Sequence, residues 1–259
     1  MSGAVTTVAA ALFALGTAAL PVAAQTTRAA RAGNDVSGLP LHLVATKAGS
    51  PAAMAIILTG DGGWAGIDKR LGDDFAARGV AVVGLDSRSY LMNARTPDEA
   101  AADIARVMRH FSARWSVQRV VLVGYSRGAD MAPFIANRLP DDLRQQIALI
   151  ALLGPAERAN FQFHWADLLT ETSKPSDPPI LPELERLRGT RVLCVYGKDE
   201  KESLCRLADT SAVRVDQRAG RHHFDGDYDA IASEILQLFA PVDASGRPIA
   251  PNAGWRPPE

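Results

Sequence analysis

The chain has 259 residues, 47% of them hydrophobic and 22% charged, which is enough for one sizeable domain with a large core. Its formal net charge of −1 excludes a global basic field that would recruit nucleic acid or an anionic membrane surface. Charge recognition by this protein must therefore be local.

The N-terminus departs from that balance. Arg28 is the first charged side chain, and Val8 to Leu20 is an apolar, Ala/Leu-rich run followed by Pro21 and the small-residue exit "VAAQ". This pattern predicts a secretory signal peptide over residues 1–24, cleaved after Ala24. The run is short for a membrane span. Because no Lys or Arg precedes it, an uncleaved anchor is the alternative. With no Cys at the cleavage region, lipoprotein anchoring is not indicated. A Gly/Ala/Asn linker over 25–38 follows.

From 39 to 240, hydrophobic runs alternate with amphipathic stretches. Strands are predicted at 41–46, 54–60, 80–86, 119–125, 147–154, 191–197 and 212–218. Several are unbroken Val/Ile/Leu runs, as strands covered on both faces are. Helices are predicted at 66–79, 96–115, 126–139 and 227–240; the second opens with a Thr N-cap, Pro in the first turn and two acids. This alternation gives a doubly wound α/β fold with a mostly parallel sheet. Residues 155–190 interrupt it as an insertion, a partial lid above the ligand crevice, in which "NFQFHW" (160–165) reads as a short edge strand and the Pro-rich part as loop. The Pro-rich tail 241–259 reads as poorly ordered.

One motif carries chemistry. Gly124-Tyr125-Ser126-Arg127-Gly128 matches G-x-S-x-G between a buried strand and a good helix. In that setting the serine occupies a strained strand-to-helix turn and becomes a nucleophile, and larger residues at the glycines would collide with neighbouring elements. A serine needs a base. "AGRHHFDGDYD" lies between the last strand and the last helix, where an α/β-hydrolase-like triad places its histidine. His223 is the preferred base, with His222 as its neighbour; His42, His110 and His164 read as structural or exposed. The acid should follow the penultimate strand, where "YGKDEKES" offers Asp199 and Glu200, and either can orient the histidine. Arg127 would give one oxyanion N–H, and Asp61 or Gly62 in "ILTGDGGW" the second. Without G-K-[ST] or G-x-G-x-x-G, that loop is not a phosphate cradle. Asp61, Asp86 and Asp130 all belong near the carboxyl ends of strands and suggest a locally negative substrate site suited to an amine. Cys194 and Cys205 allow a single disulfide in an exported protein, two separate buried thiols being the alternative. Two cysteines supply only half of a tetrahedral shell, so no metal is expected. The chemistry needs no organic cofactor either.

The run from "LTGDGGWAGIDKR" through "VVLVGYSRGADM", "LLGP", "FQFHW", "VLCVYGKDE" and "HHFDGDYD" resembles the bacterial VirJ/AcvB virulence-associated family over nearly the whole domain. The resemblance implies a periplasmic α/β-hydrolase-fold protein. It further implies hydrolysis of the aminoacyl ester of lysyl-phosphatidylglycerol, peripheral contact with inner-membrane lipid, and a link to type IV secretion with a secretion partner. Family members often carry an apolar residue where this chain has Arg127. The resulting expectation is a serine hydrolase acting on a small-molecule or lipid ester, with no nucleic-acid partner. A non-catalytic hydrolase-fold binder assisting secretion and a general carboxylesterase are the rivals.

Overall fold

In the computed structural model, residues 35–46, 50–164 and 174–240 are described. The predicted signal peptide, most of the linker, the middle of the insertion and the C-terminal tail lie outside them. Seven strands form one sheet: β1 (Leu41–Val44), β2 (Ala53–Leu58), β3 (Val80–Leu85), β4 (Val120–Tyr125), β5 (Ile147–Leu153), β6 (Val192–Gly197) and β7 (Arg214–Arg218). Their order is β1-β3-β2-β4-β5-β6-β7, with only β1 antiparallel to its neighbour.

The helices are α1 (Gly66–Ala77), α2 (Ser87–Tyr90), α3 (Pro97–Trp115), α4 (Arg127–Arg138), α5 (Asp141–Arg144), α6 (Leu181–Arg186) and α7 (Tyr228–Phe239). Successive strand residues point to opposite faces, which divides the core in two. Met54, Ile56, Leu58, Leu122 and Leu152 pack with α3 and α4, whereas Ala55, Ile57, Val123, Leu153 and Val195 pack with α1 and α7. That two-sided covering is why the central strands contain so few polar residues. The start of α3 is fixed by a capping box, in which Thr96 Oγ1 accepts from Glu99 N–H and the Glu99 carboxylate accepts from Thr96 N–H.

Two expectations for the insertion need correcting. Residues 160–164 form no strand; instead Phe163 N–H donates to Leu91 O and Phe161 O accepts from Arg95 N–H, both at 2.9 Å, so the segment lies against the loop after α2 with both phenylalanines buried. Leu181–Arg186, expected as loop, is helical. The buried Glu183 accepts from Asn137, Arg138 and Arg186, which fastens α6 to α4. Short-range propensity in a Pro-rich stretch could not foresee that tertiary anchor.

Candidate active site

The turn from β4 into α4 is built by close backbone approach. A Cβ on Gly124 would sit 2.3 Å from Gly128 O, and one on Gly128 would sit 2.0 Å from Leu58 O. Both are impossible contacts with backbone, so these positions admit only glycine. Between them Ser126 has φ 52° and ψ −121°, a conformation that a non-glycine residue rarely adopts. Its N–H donates to Leu153 O at 2.8 Å, and its own carbonyl accepts from Ala129 and Asp130 N–H. The Ser126 side chain is half-exposed among buried neighbours. Strain held by a rigid surround and aimed outward is what a nucleophile requires.

A cavity of about 660 Å³ opens above this turn, at the carboxyl ends of β2, β4, β5, β6 and β7. Ser126, His222 and Glu200 all line it. His222 Nδ1 lies 2.7 Å from Glu200 Oε1, while Glu200 Oε2 accepts from Gly197 N–H at 2.6 Å. The carboxylate is thus held by its own turn and presents its second oxygen to the histidine. Since a carboxylate only accepts, Nδ1 carries the hydrogen and Nε2 is the basic nitrogen. A Cβ at Gly154, whose φ is +61°, would come within 2.8 Å of the His222 ring, so that ring rests directly on backbone.

Of the two adjacent histidines, it is His222 and not the preferred His223 that meets Glu200 and lines the cavity. His223 Nδ1 pairs with Tyr125 OH at 2.8 Å, and the residue is absent from the cavity wall among the described residues. Of Asp199 and Glu200, it is Glu200 that bonds His222, and Asp199 is exposed at the cavity wall. Neither distinction was available from spacing, since each pair is adjacent in sequence. His42 stacks on Trp64 at 5.3 Å, a structural role.

Arg127 is the first residue of α4, and its N–H directly follows Ser126 at the helix start. Its side chain makes a bidentate pair with Asp61, Nε to Oδ1 and Nη2 to Oδ2, both at 2.9 Å, and Nη1 donates to Asn160 O. The two loops expected to carry oxyanion donors are thus clamped together through their side chains. The β2 loop is also anchored by Trp64, which lies across Gly84 so closely that a Cβ there would meet the indole at 2.1 Å. Sequence reasoning missed Asp68 on α1, a buried carboxyl bonded to the Gly60 amide beneath this loop; burial raises its pKa to about 8. An acid between Ile67 and Leu71, on the apolar stripe of α1, was the available signal.

The expected acidic substrate site is altered. Asp61 is neutralised by Arg127. Asp86 accepts from Ser89 N–H at 2.9 Å as the N-cap of α2, and neither it nor Gly62 lines the cavity among the described residues. Asp130 does line it, but is buried and accepts from Ala156 N–H at 2.7 Å; desolvation raises its pKa to about 7. Glu157, Asp177, Asp199 and Glu202 also line the cavity, together with Arg158, Lys201 and Arg221. Cys194 and Cys205 are joined in a disulfide that closes the loop bearing Glu200. Among the described residues, no group of His, Cys, Asp and Glu is gathered to hold a metal, and no helix is long and apolar enough to cross a membrane.

Comparison with known proteins agrees with this geometry at the level of fold. A family model described as "Bacterial virulence protein (VirJ)" matches residues 52–241. No curated protein matches the sequence. Est1E from Butyrivibrio proteoclasticus superposes with a TM-score of 0.57 at 15% identity, covering 79% of this chain and 96% of its own. MenH from S. aureus gives 0.54 at 11% identity, with 76% and 97% covered. A thioesterase domain from the curacin biosynthetic pathway gives 0.52 at 16% identity, with 77% and 96% covered. The sheet order and these likenesses make the fold that of the α/β-hydrolases.

Proposed function

The chain belongs to the VirJ family of bacterial virulence proteins, and on that premise we propose that it is a serine hydrolase of ester bonds with Ser126, His222 and Glu200 as its triad. One observation carries the reading. The strained Ser126 and the Glu200-bonded His222 line the same cavity. In this mechanism His222 Nε2 takes the Ser126 proton as Oγ attacks the ester carbonyl. Glu200 fixes the imidazole and offsets its developing charge. The oxyanion is held by Arg127 N–H and an amide at Asp61. Collapse of the tetrahedral intermediate expels the alcohol, which receives the proton from His222. Water then cleaves the acyl-enzyme by the same steps in reverse.

For the substrate we propose an aminoacyl ester of the lysyl-phosphatidylglycerol type. The described cavity wall is mostly polar, with carboxylates around its rim, which suits an aminoacyl group better than a long fatty chain. The disulfide supports a periplasmic setting, since such bonds persist in oxidising compartments. A general carboxylesterase is favoured by a different observation: one acid of the cavity wall, Asp61, is already paired with Arg127.

Wild-type protein should take up a fluorophosphonate probe at Ser126 and release amino acid from aminoacylated phosphatidylglycerol in preference to cleaving the plain lipid. Ser126→Ala should abolish both with the fold intact. Full turnover by that variant would overturn the hydrolase reading, and equal rates on the two lipids would give the site to the carboxylesterase.

A further inference from the structure

We propose that Tyr125 and His223 form a strut that holds His222 in its working orientation, making both of them positioning residues for the triad. The inference rests on the hydrolase reading above and assigns a role to two residues that reading leaves unused. Tyr125 immediately precedes the nucleophile and is buried. Its ring stacks on the His222 imidazole, centroids 5.2 Å apart at 30°. Its hydroxyl lies 2.8 Å from His223 Nδ1 and 3.3 Å from the His222 carbonyl oxygen. A buried tyrosine hydroxyl needs a partner; here both partners belong to the loop that carries the base.

That loop is not held by its own backbone preference. Phe224 and Asp225 have φ of 50° and 48°, two consecutive non-glycine residues in the left-handed region, which is costly without outside support. Phe224 supplies part of that support as a fully buried side chain of the core on the α1/α7 face. The Tyr125 hydroxyl supplies the part nearest the chemistry. The bond to Glu200 fixes one nitrogen of His222 but does not by itself set rotation about the Nδ1–H···O axis, and the Gly154 backbone meets only one part of the ring. The Tyr125 face opposes that rotation, so that the strand delivering the nucleophile also aligns the base. The single hydroxyl hydrogen goes to one acceptor at a time. When it is donated to His223 Nδ1, His223 carries its own hydrogen on Nε2.

The full chain and its Tyr125→Phe, His223→Ala and His223→Asn variants decide the matter. Phenylalanine keeps the stacked ring and removes the hydroxyl, whereas asparagine restores a polar atom at the position of Nδ1. Two readouts are taken: the inactivation constants for a fluorophosphonate, and the proton resonance of the His222 Nδ1–H in ¹⁵N-histidine-labelled protein. Tyr125→Phe and His223→Ala should lower kinact about tenfold with KI unchanged, the loss expected for one hydrogen bond. The same variants should broaden the Nδ1–H resonance, and His223→Asn should restore both readouts. Wild-type kinact and an unchanged resonance in both deficient variants would overturn the strut. So would losses that merely follow the melting temperature and are not rescued by asparagine. Failure of the hydrolase reading looks different: the wild-type protein would not be labelled at all. The resonance needs no reaction and would still report whether the strut holds His222 against Glu200.

Discussion

The turn that carries Ser126 and the loop that carries His222 do comparable work and are encoded in opposite ways. Residues 124–128 are written locally in the sequence as a strand, two glycines and a helix start, and the neighbouring strand end at Leu58 closes against the second glycine. The segment 220–227 is specified from a distance, by the Tyr125 ring and hydroxyl, by Gly154 beneath His222, by Glu200 across from it and by Phe224 in the core. On the proposed reading, a locally encoded Ser126 keeps its place as long as the sheet exists, whereas His222, held by long-range contacts, can lose its alignment while the fold persists.

The largest effect should come from breaking the local side of this contrast. Gly128→Ala would ordinarily favour a helix, yet here the new methyl points at the Leu58 carbonyl, which belongs to a central strand and cannot retreat. A loss of about 3 kcal/mol or more is expected, beyond the ordinary cost of overpacking because the obstacle is backbone. Urea denaturation and soluble yield measure it. A variant as stable as wild type would mean that the turn is looser than its contacts imply.

On the other side, Glu200→Gln should leave the fold intact and cost about 10³- to 10⁴-fold in kcat, the scale seen when a triad acid becomes an amide. Asp199→Asn, one residue away and exposed, should change hydrolysis of a neutral ester, which brings no amine to the cavity carboxylates, by no more than about twofold. Steady-state hydrolysis of an activated ester separates them. Equal losses would show that the charge of the loop matters rather than the Glu200–His222 bond.

The same contrast explains how much could be read in advance. Among the described residues all seven strands and all four long helices were legible, because apolar runs, alternating stretches and capping signals are local. So was Ser126, since its glycines and flanking elements are local as well. His222 against His223 and Glu200 against Asp199 were not, because neighbouring residues share the same pattern and only contacts across the sheet distinguish them. The Arg127–Asp61 pair was hidden for the same reason. Its members lie 66 positions apart, and nothing in either motif links the Arg127 guanidinium to the Asp61 carboxylate.

Asp130 belongs to both regions and provides the subtlest test. It lies one turn after Ser126 in "SRGAD", yet its carboxyl holds Ala156 and feels the charges of Arg127 and His222. Burial raises its pKa from 3.8 to about 7 in the folded protein. Below about pH 4 the group is protonated in both folded and unfolded chains and contributes no pH dependence. Between about pH 4 and pH 7 the unfolded chain gives up a proton that the folded protein keeps, so stability falls as pH rises through that window. Above pH 7 both forms are ionised and the penalty is constant. Asp130→Asn keeps an acceptor for the Ala156 N–H but cannot ionise. Relative to wild type it should therefore gain stability across this window and hold the gain above it, by at most about 4 kcal/mol for a shift of this size. Urea midpoints taken from about pH 4 to about pH 9 would show the divergence. A difference that stays flat with pH would mean that the carboxyl is ionised throughout. The negative charge expected from the sequence would then be present at the floor of the cavity, available to a cationic substrate.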